Sequence, residues 1–136
     1  MRAVLPVLFT LASGSVALAD EPIADREAWL ASAVEAIETG QLTSLQEQLD
    51  GTLGPEMHDD VMLTVMPLKQ ALGEEPALYV DHLETEMLGE SFETHQYAAY
   101  YGERSFVFYT FTFARLDDGW HIYDLTYTDD FAEARE

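Results

Sequence analysis

The chain has 136 residues, 6 lysines and arginines against 26 acidic side chains, a formal charge of −20 at pH 7 and no cysteine. A surface this acidic repels nucleic acid and anionic lipid, and the missing thiols exclude disulfides, thiol catalysis and a lipid-modified N-terminal cysteine. Aromatic residues make up 12% of the chain, so burial has to supply the stability that cross-links would otherwise give.

Met1 to Ala19 carries one charge at Arg2, an apolar run from Ala3 to Leu11 and a small-residue end, Ala17-Leu18-Ala19. That is the layout of a secretory signal peptide cleaved before Asp20. Pro6 and Ser13-Gly14-Ser15 interrupt the run, which is shorter than the roughly 20 apolar residues of a spanning helix. The expectation is a signal peptide over 1–19 and one soluble domain over 20–136, periplasmic or secreted, carrying a charge of −21 once Arg2 is removed. The acids are spread along the chain, which fits a solvated surface suited to salty surroundings. Attraction of a cation or a basic partner is the alternative.

Asp25 is placed to cap a first helix, with Glu27 in its first turn and Trp29, Leu30, Ala33, Val34 and Ile37 at helical spacing. Gly40 supplies the stop. A short second helix follows, with Thr43 or Ser44 as its cap and Leu45 and Leu49 facing inward, ended by Gly51 and Gly54. Pro55 suits the first position of a third helix carrying Met57, Val61, Met62, Val65 and Leu68; Pro67 is expected to end or kink it near Met66, with continuation to Leu72 as a last turn before Gly73 as the alternative. From Leu78 the apolar period becomes two. Strands are expected over Leu78 to Leu88, Phe92 to Tyr101, Ser105 to Leu116 and Trp120 to Thr128, with a frayed tail from Phe131. The fold class is therefore α+β, with three N-terminal helices packed on a curved four-stranded antiparallel meander sheet.

The last two strands form an aromatic hairpin. A three-residue Asp117-Asp118-Gly119 loop would pair odd residues with odd, collecting Val107, Tyr109, Phe111 and Phe113 with His121, Tyr123, Leu125 and Tyr127 on the face toward the helices. The opposite face then holds Phe106, Phe108, Trp120 and Ile122, too apolar for plain exposure. Either a second subunit covers it, giving a homodimer, or the helices or the tail do.

The helical opening EAWLASAVEAIETGQLTSLQEQL, from Glu27 to Leu49, and the closing DDGWHIYDL, from Asp117 to Leu125, resemble the nuclear transport factor two-like, or cystatin-like, superfamily. Gly40-Gln41-Leu42 stands where many relatives have Gly-Asp-Leu, and Leu88-Gly89 and Tyr100-Tyr101-Gly102 stand where small exported members of unknown function have their turns. The resemblance spans nearly all of the chain after 19. It implies a strongly curved, cone-like sheet wrapped around the helices, a cavity between them and frequent dimerisation through the outer face. It implies no activity, because the fold hosts isomerases, dehydratases, hydrolases and binding domains.

Tyr97, Tyr109, Tyr123 and Tyr127, with His121, are the candidate lining of that cavity, hydroxyl groups over an apolar floor; the alternative is that these tyrosines are core residues bonded to a nearby carbonyl. Asp81 and Asp124 are the strand carboxylates to weigh as a catalytic base, against solvated surface acids. His58, His82, His95 and His121 make no zinc pattern. His58, Met62 and Met66 recur at every fourth residue, a stripe open to copper or to core packing. There is no phosphate loop and no nucleophile elbow. Three readings follow: an exported binding or accessory domain with a tyrosine-rimmed cavity for a small molecule or peptide and no catalytic residues, metal or cofactor; a small isomerase or dehydratase in the same cavity; and an acidic inhibitor or partner of a cationic exported protein.

Overall fold

The computed structural model describes residues 22–135 and the backbone of Val7 and Leu8. The rest of the segment expected as a signal peptide lies outside the described residues. Val7–Leu8 forms a two-residue strand, β1, antiparallel to the last strand with Val7 opposite Leu125.

Helix α1 spans Arg26–Glu38, and the Asp25 carboxylate accepts from the Ala28 amide at 3.1 Å, satisfying a donor that has no partner within the helix. Leu30, Ala33, Ala36 and Ile37 are buried, the i, i+3, i+4 spacing of one helical face. Helix α2 spans Leu42–Leu53 and starts before the expected hydroxyl caps, with Gln41 preceding it and no side-chain cap. Its buried series Leu42, Leu45, Leu49 and Leu53 explains this, since including Leu42 adds one more side chain to the apolar stripe. Gly51 lies inside α2 and Gly54 ends it.

A 3-10 turn over Pro55–Met57 leads into α3, His58–Leu72, which does not end at Pro67 but continues to Leu72 before Gly73, the alternative that the sequence left open. Pro67 and Leu63 are both exposed, so the carbonyl four residues before the proline, which loses its amide partner, faces solvent and the cost of the missing bond is reduced. Val61, Thr64, Val65 and Leu68 are buried.

Strands β2 (Tyr79–Leu88), β3 (Phe92–Gly102), β4 (Ser105–Leu116) and β5 (Gly119–Thr128) form the expected meander, in sheet order β1-β5-β4-β3-β2. All pairs are antiparallel. Helices α1 to α3 precede strands β2 to β5 and pack on one face of an open, curved sheet. Trp29 of α1 seats the helix layer, edge-on to Phe111 and Phe113 at 6.1 and 5.7 Å, with its indole N–H donating to Thr52 of α2 at 2.9 Å. Among the described residues, no helix is long and apolar enough to cross a membrane.

The closing hairpin departs from the expected register. Leu116 pairs with Gly119, so the turn is the two residues Asp117-Asp118, and Phe113 pairs with Ile122. A bulge at Tyr123 then restores odd-with-odd pairing, Phe111 with Leu125 and Tyr109 with Tyr127. Between turn and bulge the faces are exchanged. Ile122 is 1% exposed in the core and Trp120 packs against it from the helix side, whereas His121 sits opposite Ala114 and Tyr123 lies edge-on to Phe92 on the outer face. The bulge keeps both halves of β5 apolar toward the helices despite the shorter turn.

The four residues expected to share one outer interface are therefore split. Phe106 and Phe108 lie on the outer face, Trp120 and Ile122 on the inner. The tail is not frayed: Phe131–Ala134 forms a short helix, α4, with Asp130 accepting from the amides of Ala132 and Glu133 at 2.9 and 3.3 Å. It docks on the outer face through Phe131, 5.8 Å from Phe108, and through a Gln96 side-chain amide donating to the Ala134 carbonyl at 2.6 Å. Phe108 is 7% exposed in consequence.

Candidate functional site

The inner face of β4 and β5 is filled by apolar and aromatic side chains that meet the helices. Toward β2 that pattern breaks. Glu93, His95 and Tyr97 alternate on β3 and so share the helix-facing side. On β2, His82 and Thr85 are three apart and would point to opposite faces of a regular strand. A bulge at Leu83 changes this: His82 pairs with Tyr97, Glu84 with Gln96 and Thr85 with His95, so both side chains turn to the same side.

These residues form one wall of a cleft of about 560 Å³; Leu30, Ala31 and Val34 of α1 form the other, with Arg26 and Glu27 at its end. The Arg26 guanidinium grips both Glu93 carboxylate oxygens, at 3.0 and 3.3 Å, and lies 4.0 Å over the Trp120 ring. His95 Nε2 is 2.8 Å from Glu93 Oε1, and its Nδ1 is 3.2 Å from Thr85 Oγ1. Thr85 Oγ1 is in turn 2.9 Å from His82 Nε2. His82 stacks on Tyr97 at 4.8 Å and on His95 at 5.8 Å, and His95 meets the Phe113 ring edge-on at 5.8 Å.

Burial pushes the Glu93 carboxyl up, but the hydrogen bonds and charges of Arg26 and His95 together outweigh it and hold the group below its ordinary range. Glu93 is thus ionised at neutral pH. Burial raises the Tyr97 phenol. The cleft's ionised lining is one cation, Arg26, against Glu27 and Glu93, and that cation is already paired. Such a cleft disfavours an anionic occupant.

No family model, curated protein or solved structure matches this chain.

Of the residues expected to line a cavity, Tyr97 lines the cleft. The other four do not join it. Tyr109 and Tyr127 are 0% and 3% exposed in the core, with the Tyr109 hydroxyl bonded to that of Tyr101 at 3.0 Å and the Tyr127 hydroxyl donating to the Thr64 carbonyl at 2.9 Å. Burial raises both phenols, Tyr109 well above its usual value. Tyr123 is on the outer face, and His121 Nε2 meets Asp118 at 2.7 Å beside the turn. Asp81 and Asp124, opposite Ala98 and Thr112, lie on the outer face, so neither carboxylate reaches the cleft.

His58 turns to Asp50, at 3.0 Å, and Met62 sulfur accepts from the Gln46 amide at 2.9 Å; Met62 and Met66 line a surface pocket on α3 whose lining does not include His58. Among the described residues, no group of three or more histidine, aspartate or glutamate side chains is arranged to hold a metal ion. The cluster that forms, Arg26, Glu93, His95, Thr85 and His82, escapes a reading by period. Its one sequence signal is the Glu93, His95, Tyr97 alternation, polar where β4 and β5 are apolar.

Proposed function

We propose that this is an exported small-molecule-binding domain whose ligand lies in the cleft between α1 and the β2–β3 edge of the sheet. The observation that carries this is the polar wall itself. On the face that elsewhere builds the core, four polar side chains converge on an open cleft against an apolar helix wall, the usual composition of a ligand site. The paired state of Arg26 and the excess of acid favour an uncharged or cationic ligand, apolar over the part that meets Leu30, Ala31 and Val34. Assignment to the nuclear transport factor two-like superfamily belongs to this proposal and is supported by helices preceding a curved antiparallel meander with a cleft between the layers. Export, to periplasm or medium, is supported by the charge, apolar run and small-residue end of the first 19 residues.

Native mass spectrometry of protein purified from its own cells tests the reading. A small bound mass is expected, and Ala31→Trp, which fills the exposed helix wall of the cleft without touching the core, is expected to abolish it. Bare wild-type protein, or a bound mass unchanged by Ala31→Trp, counts against the cleft as the site.

A further inference from the structure

We infer that His82, Thr85, His95 and Glu93 form a proton relay that makes the cleft an acid–base site, with the His82 imidazole as the group that meets the ligand. This deepens the binding reading and rests on a ligand occupying the cleft. The hydrogen-bond polarity follows from the ends of the chain. An ionised carboxylate accepts and never donates, so the hydrogen between Glu93 and His95 is on His95 Nε2. In neutral His95, Nδ1 is then an acceptor, and across 3.2 Å the only group able to supply a hydrogen is the Thr85 hydroxyl. Thr85 oxygen, its single hydrogen committed, accepts from His82 Nε2 across 2.9 Å. The chain ends at His82 Nδ1, which carries a lone pair on an exposed ring at the cleft wall.

A chain of one polarity conducts one proton. When the ligand gives a proton to His82 Nδ1 and keeps the electron pair, the His82 Nε2 proton passes to Thr85 Oγ1 as the Thr85 hydroxyl proton passes to His95 Nδ1. His82 ends neutral with its hydrogen on Nδ1, Thr85 is again a hydroxyl, and His95 is an imidazolium against Glu93. Reversal returns the proton, so nothing is consumed. Among the described residues lining the cleft, the charged and titratable groups facing the stored charge are Arg26 and Glu27 from α1, His82 from β2, and Glu93 and Tyr97 from β3, and β4 contributes the Phe113 ring. The substrate class is an uncharged small molecule with an apolar body and one removable proton, on a hydroxyl or on a carbon beside a carbonyl.

Long-range proton–nitrogen NMR of ligand-free, nitrogen-15-histidine-labelled protein tests the relay, because it shows which ring nitrogen carries hydrogen. Above the imidazole range both His82 and His95 are expected to carry it on Nε2. As acid is added, the first proton should appear on His95 while His82, still neutral, moves its hydrogen from Nε2 to Nδ1. Stacked rings influence each other's charge at a distance, but only a shared hydrogen-bonding group can impose that exchange. Thr85→Val, which keeps the branched shape of a strand residue, should abolish it, and Thr85→Ser should restore it, with His58 and His121 signals reporting an intact fold. His95 starting with hydrogen on Nδ1, His82 retaining the first proton, or Thr85→Val showing the same exchange as wild type would each overturn the relay. None of these results depends on a ligand, so failure here is distinct from finding the cleft empty.

Discussion

His95 Nε2 lies 2.8 Å from Glu93 Oε1, with only Thr94 between them in the chain. The period of two along β3 puts both side chains on the helix-facing side, and Arg26, 67 residues before Glu93, closes on the same carboxylate from α1. A local pair and a long-range pair therefore share one acceptor, and the helix layer is tied to the sheet at the cleft.

This coupling sets an acid response. A carboxyl held below its ordinary range in the folded chain adds stability above the unfolded value, and that stability is lost as pH falls through the folded one. Glu93→Gln is expected to cost about 1 kcal/mol at neutral pH, the low end for charge-assisted bonds because Arg26 is partly solvated. The deficit should close in strong acid, where wild-type Glu93 is protonated. Urea midpoints of both proteins at about pH 7 and about pH 2 check this; equal deficits at both would mean the carboxylate charge is not what binds Arg26.

At the alkaline end the core tyrosines decide. Burial raises the Tyr109 and Tyr101 phenols, so the folded chain holds these protons more tightly than the unfolded one. Their contribution is complete below the ordinary phenol range and falls as pH rises beyond about 10. Tyr109→Phe leaves the Tyr101 hydroxyl without its partner and is expected to cost about 1 kcal/mol at neutral pH. It should also flatten the alkaline loss seen in thermal unfolding. A full alkaline slope in the variant would place the sensitive group elsewhere.

The helices and strands were readable because each is written in its own period: Asp25 and Gly40 bracket α1, and β4 is bounded as its sequence suggests, Ser105 to Leu116. The faces were not readable on β2 and β5. Leu83 and Tyr123 are the bulged positions, and neither is a glycine or proline that would mark an irregularity. One inserted residue exchanges inside and outside, which moved Ile122 and Trp120 inward, His121 and Tyr123 outward, and brought His82 alongside Thr85. The candidate site exists because of a bulge, so a strict alternation could not find it. Arg26 was equally hidden, since nothing local links it to Glu93.

Two glycines that look alike in the sequence should respond in opposite directions. Gly40 has φ +73°, and a Cβ there would press on the Glu74 carbonyl and lie 2.9 Å from the Glu75 backbone. Gly40→Ala combines backbone strain with a clash that no side chain can relieve, and is expected to cost about 2 kcal/mol or more. Gly51 sits in α2 with open space around it, and Gly51→Ala is expected to stabilise by about 0.5 to 1 kcal/mol by lowering unfolded-chain entropy. Denaturant midpoints measure both, and the same sign for the two would contradict these placements.

The β3–β4 turn offers a stabilising change. Gly102 pairs with Ser105, leaving Glu103 and Arg104 as the two central residues, with φ of +55° and +64°. Two left-handed residues define the turn that matches the twist of a tight hairpin, yet neither side chain here favours that conformation. Arg104→Gly removes one source of strain and keeps the amide that donates to the Tyr100 hydroxyl at 3.5 Å. Against this stand the added unfolded-state freedom of glycine and the loss of one of only 6 basic residues in a chain of charge −20. A left-handed non-glycine costs about 1 kcal/mol or more, so the balance should be a gain of about 0.5 kcal/mol. Arg104→Ala separates the terms, since it discards the charge and keeps the strain. It is expected to be neutral or destabilising, and a gain from alanine as large as that from glycine would show that the charge, not the backbone, limits this turn.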